Sequence, residues 1–223
     1  MRDDTRHSST ASTIDRMSAN RLKAIVRNVT PRFDGFLKIN EYEIEQETHR
    51  GGTMTVRRLV MERGHAVGVL GYDAARDEVV LANELRPGML AAGEYPFGDA
   101  LVAGGIGPDE TAFDAAVREM KEEADLDLRD PILMHAGAYV SPGGTSEKIA
   151  LVCGLVDTSQ AGGVHGNPGE DEDIRTVVLR GDDFIARAKR GDITDMKTVL
   201  AAWWLEQERG RLLKAAPDQR SGE

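Results

Sequence analysis

Between residues 111 and 124 apolar positions return every three or four residues. Phe113, Ala116, Val117, Met120 and Ala124 would form one stripe along a helix. Glu119 and Glu123 fall one turn apart on the flank of that stripe, with Glu122 beside them. Upstream the pattern is that of strands: Leu22 to Val29, Phe36 to Ile39, then Tyr42 to Glu45 with alternating polarity. Gly51-Gly52 interrupts it and Met54 to Met61 resumes it, which predicts a small N-terminal antiparallel sheet. The open edges of such a sheet need covering, and a second copy of the chain is one way to cover them.

Further along, Ala66 to Tyr72 and Val79 to Leu85 read as a strand and its return across the turn Asp73 to Asp77. Pro87 to Gly98 reads as a loop, and Leu101 to Ala103 as a short strand entering a glycine-rich loop. Ile132 to Val140, Ile149 to Val156 and Ile174 to Leu179 are three more strands. The long loop Ser159 to Asp173 ends in Glu170-Asp171-Glu172-Asp173, and loops of that length are more often functional than idle. Two helices close the chain, Asp182 to Lys189 and Thr194 to Glu208. In the second, Met196, Val199, Leu200, Trp203 and Trp204 are expected to be the core stripe, which makes both tryptophans packing residues. Strands around a helix, then strands and closing helices, predict an α/β fold with a mixed sheet between helical layers. The expected division is a disordered tail (residues 1–18), an N-terminal β region and dimerisation element (19–55), a main domain (56–209) and a polar tail (210–223).

The 223 residues suffice for one packed domain with an extension, and 40% hydrophobic with 30% charged residues is ordinary for a globular chain. No run of eighteen apolar residues predicts a membrane span, and the first residues do not read as a signal peptide. One cysteine, Cys153, rules out an internal disulfide and fits a reducing cytoplasm. A net charge of −10 argues against general nucleic-acid binding. It leaves room for a phosphorylated small molecule, provided cations and a few arginines line the site. The five histidines show no metal-ligand spacing.

Three glutamates on a helix would ordinarily be a solvated face. Their setting changes that. Gly104, five residues, Glu110, seven residues, Arg118-Glu119, apolar Met120, Lys121, Glu122-Glu123, Ala124, Asp125 and apolar Leu126 follow one another. This resembles the signature box of the Nudix hydrolases, G-x5-E-x7-R-E-U-x-E-E-x-G-U with U apolar. Six fixed identities and two apolar positions would arise by chance in about one chain in 10⁵ of this length. Only the last glycine departs, and Asp125 tolerates the left-handed conformation of a helix end better than most residues. Pro142, sixteen residues after the box, together with Ser141-Pro142-Gly143-Gly144-Thr145 and Glu170-Asp171-Glu172-Asp173, resembles the ADP-ribose pyrophosphatase branch.

The resemblance implies a Nudix-type α/β/α sandwich that hydrolyses the diphosphate of ADP-ribose to AMP and ribose 5-phosphate with Mg²⁺, for which Mn²⁺ substitutes. Another nucleoside diphosphate sugar such as GDP-mannose, or a sensor that binds ADP-ribose without cleaving it, stands as the alternative. Oxygen-only ligands suit such hard cations, and cations between two carboxylates reverse their repulsion. By resemblance Glu119, Glu122, Glu123 and the Ala103 carbonyl hold metal, while Glu110 and Arg118 brace the loop against the helix. Glu170 is the implied general base, with Glu172 in reserve. Catalysis is implied to involve Glu122 and Arg118 as well. Arg58, Arg86, Gly104, Ser141, Pro142 and Gly143 are the implied substrate contacts, Arg58 from a partner in a homodimer. Gly104 would permit a tight turn into its loop. Relatives commonly carry a glutamate where this chain has Ala100, and Asp99 next door should point to the other face.

Overall fold

The computed structural model describes residues 21–167, 169 and 171–215. The tail expected over residues 1–18, the last eight residues and Glu170 lie outside the described residues. The chain divides into two compact units.

The first unit comprises residues 21–63 with residues 141–146. Three antiparallel strands, β1 (Ala24–Asp34), β2 (Lys38–Glu47) and β3 (Thr53–Glu62), form its sheet in the order β1-β2-β3. The β2–β3 turn is closed by Gly51 and Gly52 at φ +88° and +76°, angles that glycine adopts without strain. Cross-strand ion pairs Arg27–Glu45, Arg32–Glu41 and Arg57–Glu43 fix the register. Bulges flank the stretch around Pro31, which has no N–H to give to a ladder. Ile25, Val26, Phe33 and Leu59 stay exposed on this sheet. Residues 141–146 join β3 through Met61, whose N–H donates to the Gly144 carbonyl at 2.9 Å.

The second unit holds an eight-stranded mixed sheet. Its strands are β4 (Ala66–Asp73), β5 (Glu78–Leu85), β6 (Phe97–Ala100), β7 (Val102–Gly105), β8 (Arg129–Tyr139), β9 (Lys148–Leu155), β10 (Val164–His165) and β11 (Ile174–Arg180). Its helices are α1 (Pro87–Ala91), α2 (Ala112–Ala124), α3 (Gly181–Arg190) and α4 (Met196–Ala215). The main order is β10-β11-β5-β4-β9-β8, with β4 and β9 parallel. Val67, Val69, Val80, Ala82 and Val152 pack under α2, whereas Leu70, Tyr72, Leu81, Leu151 and Cys153 pack under α3 and α4. Alternate residues of each strand therefore serve opposite layers. That is why these strands read as unbroken apolar runs, and why the unit is an α/β/α sandwich.

The sheet forks at β4. Ala66 to Val69 pair with β7, whereas Gly71 to Asp73 pair with β5. The far half of β5, Ala82 to Leu85, is taken up by β6. Leu101 alone carries the chain from one branch to the other, and its N–H donates to Thr198 Oγ1 at 2.9 Å.

Two expectations change. The segment read as a loop from Pro87 to Gly98 contains α1 and the start of β6. The core stripe of α4 consists of Thr198, Ala201, Ala202, Leu205 and Leu212, while Met196, Leu200 and Trp203 are exposed and Trp204 is only partly buried. The bond from Leu101 to Thr198 sets the rotation of that helix, and the two alanines let it lie close to the sheet. Helix α4 also runs on through Ala215. Its far end is tied by Arg209, whose Nε donates to Asp77 at 2.7 Å where the Tyr72 hydroxyl also donates. Among the described residues no helix is long and apolar enough to cross a membrane.

Candidate active site

Helix α2 begins and ends on local signals. The Thr111 hydroxyl accepts the Asp114 N–H while the Asp114 carboxylate accepts the Thr111 N–H, a reciprocal cap. At the far end Asp125 turns left-handed at φ 53°, its N–H and that of Leu126 closing on Lys121 and Met120. Lys121 reaches over that end to Asp125 and Asp127.

The buried face of α2 is Ala115, Ala116, Glu119, Met120, Glu123 and Ala124, whereas Phe113 and Val117 are exposed. The two glutamates expected on the flank therefore lie inside. Their side chains are accommodated because β7, the strand they meet, ends in glycines. Glu119 is 7% exposed, and a Cβ on Gly104 would stand 1.8 Å from its Oε1. Gly104 is not in the left-handed region, so close approach of a carboxylate, rather than the expected tight turn, is what requires glycine there. Glu123 is 3% exposed and accepts the Ala103 N–H at 3.2 Å. The N–H and carbonyl of one strand residue point to the same side, so the Ala103 carbonyl shares the edge that Glu123 faces.

Burial pushes the Glu123 carboxyl up to about 8, with the charges of Glu84, Glu119 and Glu172 adding to the effect against the Ala103 N–H. Burial also raises Glu119, against the pull of Arg118. In both carboxylates burial outweighs the local donors, and proton affinity rises.

Arg118 spends all its donors locally. Nε and Nη2 make a two-pronged contact with Glu110 at 2.8 and 3.0 Å, and Nη2 also meets the Gly105 carbonyl at 2.9 Å. Nη1 bonds Glu119 at 2.7 Å and the exposed Glu122 at 3.2 Å. Glu110 accepts in addition the Gly107 N–H at 2.8 Å, and Arg118 first, then that N–H, holds its carboxyl down at about 2. Among the described residues no three acidic, histidine or cysteine side chains converge on one point.

Glu172 lies near enough to raise both Glu119 and Glu123, and its carboxylate accepts the Asn167 N–H at 2.9 Å. The Gly166 N–H of the same loop donates to the Glu122 carbonyl at 3.3 Å. His165, at the end of β10, bonds the Gly162 carbonyl at 2.7 Å. Ala100 is buried opposite Ala82, and Asp99 turns to the other face toward Asn83 and Arg187.

Just past the end of β5, Nη1 of Arg86 bonds Glu84 at 2.8 Å, and Nη2 is a buried donor with no acceptor. Sequence reasoning passed over Glu84. The Glu-x-Arg spacing in a strand, which puts both side chains on one face, was the available signal. The first unit contains the other expected contacts. Arg58 is exposed with Nη1 on the Arg57 carbonyl, and the Ser141 carbonyl accepts the Gly144 and Thr145 N–H groups at 3.0 Å around Pro142 and Gly143.

The family model described as "NUDIX domain" matches residues 62–197. The chain is 36% identical over 190 residues to the ADP-ribose pyrophosphatase of Escherichia coli (strain K12), spanning 84% of this chain and 88% of that one. It is 26% identical over 171 residues to the GDP-mannose pyrophosphatase of Pectobacterium atrosepticum, spanning 75% and 86%. A solved structure described as an ADP compounds hydrolase superposes with a TM-score of 0.65 at 19% identity, covering 85% of this chain and 96% of that chain, a likeness of fold.

Proposed function

We propose, from the premise that the chain belongs to the NUDIX domain family and is a Nudix pyrophosphohydrolase, that it cleaves ADP-ribose with water to AMP and ribose 5-phosphate. The observation that carries this reading is the pair of buried carboxylates, Glu119 and Glu123, packed against Ala103 and Gly104 with their proton affinity raised. The donor set fits a hard divalent cation: all oxygen, densely anionic and partly desolvated. Glu119, Glu122, Glu123 and the Ala103 carbonyl would hold Mg²⁺ or Mn²⁺. Such a cation, when bound, neutralises charge gathering on the phosphate oxygens and lowers the pKa of a bound water.

The chain's own groups supply the rest. Arg86 offers charged donors to the diphosphate, and Arg58, Gly104, Ser141, Pro142 and Gly143 complete the substrate contacts. Glu110 and Arg118 hold the loop from Gly105 against α2, which keeps the phosphate side of the site in register. Glu170 takes the proton of the attacking water, and Glu172 is the second candidate for that base. As the water oxygen bonds to phosphorus, the bridging P–O bond breaks and its electrons leave with the other phosphate. A homodimer in the cytoplasm completes the proposal. The exposed Ile25, Val26, Phe33 and Leu59 support a second copy over the first unit's sheet, and a lone buried thiol at Cys153 suits a reducing compartment.

A panel of ADP-ribose, GDP-mannose and other nucleoside diphosphate sugars, assayed with Mg²⁺ and with EDTA, tests this. The expected result is the highest kcat/KM on ADP-ribose, loss of turnover with EDTA, and a fall in kcat of at least about 10²-fold in Glu123→Gln. A higher kcat/KM on GDP-mannose would move the assignment to that sugar. Binding of ADP-ribose without release of AMP would make the protein a sensor.

A further inference from the structure

Nη2 of Arg86 is the one buried side-chain donor without an acceptor among the described residues. A buried, unpaired N–H on a charged group is costlier than a neutral one, so its persistence asks for a reason. The other prong of the same guanidinium is fixed, with Nη1 on Glu84 Oε1 at 2.8 Å. Glu84 and Arg86 leave β5 on one face. It is the face of Ala82, which packs in the core under α2. The Arg86 backbone is tied as well, its N–H donating to the Pro96 carbonyl at 2.8 Å. A guanidinium is planar and rigid, so holding one prong sets the direction of the next.

Glu84 also faces the catalytic helix, since its charge acts on Glu123. The Glu84–Arg86 pair thus stands at the margin of the carboxylate cluster, with the buried, unpaired Nη2 as its unspent cationic donor. An anionic oxygen is the partner that such a donor binds most strongly.

We propose that Glu84 is a positioning residue: it grips one prong of Arg86 so that the other is presented to a phosphate oxygen of the substrate. This rests on the reading of the site as a diphosphate hydrolase in which Arg86 meets the substrate. Glu84 itself touches neither the substrate nor the cation.

The experiment compares Glu84→Ala, Glu84→Gln, Arg86→Ala and the double variant Glu84→Ala/Arg86→Ala. KM and kcat are measured on ADP-ribose at saturating Mg²⁺, and Mn²⁺ affinity by titration calorimetry. Arg86→Ala is expected to raise KM by about tenfold or more, with kcat changed by less than about threefold. Glu84→Ala should raise KM in the same way, and Glu84→Gln, whose amide oxygen still accepts from Nη1, should recover most of the loss. The double variant should be no worse than Arg86→Ala, because a gripping residue has nothing to act on once the arginine is gone. Mn²⁺ affinity should stay within about twofold throughout.

Multiplying effects in the double variant would overturn the proposal. So would a wild-type KM in Glu84→Ala alongside an impaired Arg86→Ala. A Mn²⁺ affinity weakened about tenfold in Glu84→Gln, the isosteric variant, would make Glu84 a cation ligand instead. If Arg86→Ala keeps its KM, Arg86 does not hold substrate. The underlying reading of the site then fails, separately from the role of Glu84.

Discussion

The carboxylate of Glu119 occupies the space where a side chain on Gly104 would begin, with Oε1 1.8 Å from the position of a Cβ. The strand offers no side chain of its own at that point, and the Glu119 carboxylate from the helix fills the gap. Gly104 and Glu119 are therefore one steric unit.

From that contact follows the behaviour of Gly104→Ala. Glu119 must leave its place, because backbone on one side and Arg118 on the other allow no shared solution. We expect kcat/KM to fall by about 10- to 100-fold, with weaker Mn²⁺ binding and a protein that remains folded. Steady-state kinetics beside titration calorimetry check it, and unchanged values for both would show that Glu119 works from another position.

Glu123 makes stability depend on pH in a direction opposite to most carboxylates. Its folded value of about 8 lies above the ordinary carboxylate value, so the protonated group favours the folded state. That contribution is fully present below the unfolded pKa of about 4.3 and is lost as pH rises through about 8. Metal-free protein should lose on the order of 2–4 kcal/mol from this group between pH 4.5 and 8.5, and Glu123→Gln should flatten the profile. By the same linkage Mn²⁺ binding at pH 7 should release about one proton, read from calorimetry in buffers of different ionisation enthalpy.

Arg118 joins Glu110, Glu119, Glu122 and the Gly105 carbonyl through its planar fork. Arg118→Lys can satisfy only part of that set. Both Arg118→Lys and Arg118→Ala should therefore lower kcat strongly and destabilise the fold by about 1–3 kcal/mol. Urea unfolding and kinetics measure the two effects. A lysine variant indistinguishable from wild type would reduce Arg118 to a point charge.

The base can be assigned by comparing Glu170→Gln with Glu172→Gln. Loss of turnover by about 10²-fold or more at near-normal KM is expected for Glu170→Gln. The carboxylate of Glu172 is bonded to the Asn167 N–H, so Glu172→Gln should show a smaller fall and an altered Mn²⁺ affinity. The reverse ranking would transfer the role.

Much of this was legible in the sequence, and the exceptions have physical causes. The strands under two helical layers were found because burial on both faces leaves continuous apolar runs such as Val79 to Ala82. The caps of α2 and the left-handed Asp125 follow from local chemistry alone. The burial of Glu119 and Glu123 was hidden, because a carboxylate in a helical pattern counts as surface until the strand facing it is known. In α4 the large apolar Met196, Leu200 and Trp203 dominated the pattern, whereas Ala201 and Ala202 make the contact. Helix rotation there depends on a hydrogen bond between residues far apart in sequence, Leu101 and Thr198, which no local window contains.

The division of the sheet at β4 has a consequence for how this scaffold tolerates change. With Leu101 as the sole link between two differently paired segments, Phe97 to Ala100 and Val102 to Gly105, no slack exists to absorb an added or missing residue. A single-residue indel there would rotate Ala103 and Gly104 out of phase with the helix that confronts them. Changes of chain length are absorbed at lower cost in connections outside this crossing, which leave the pairing of β6 and β7 in register.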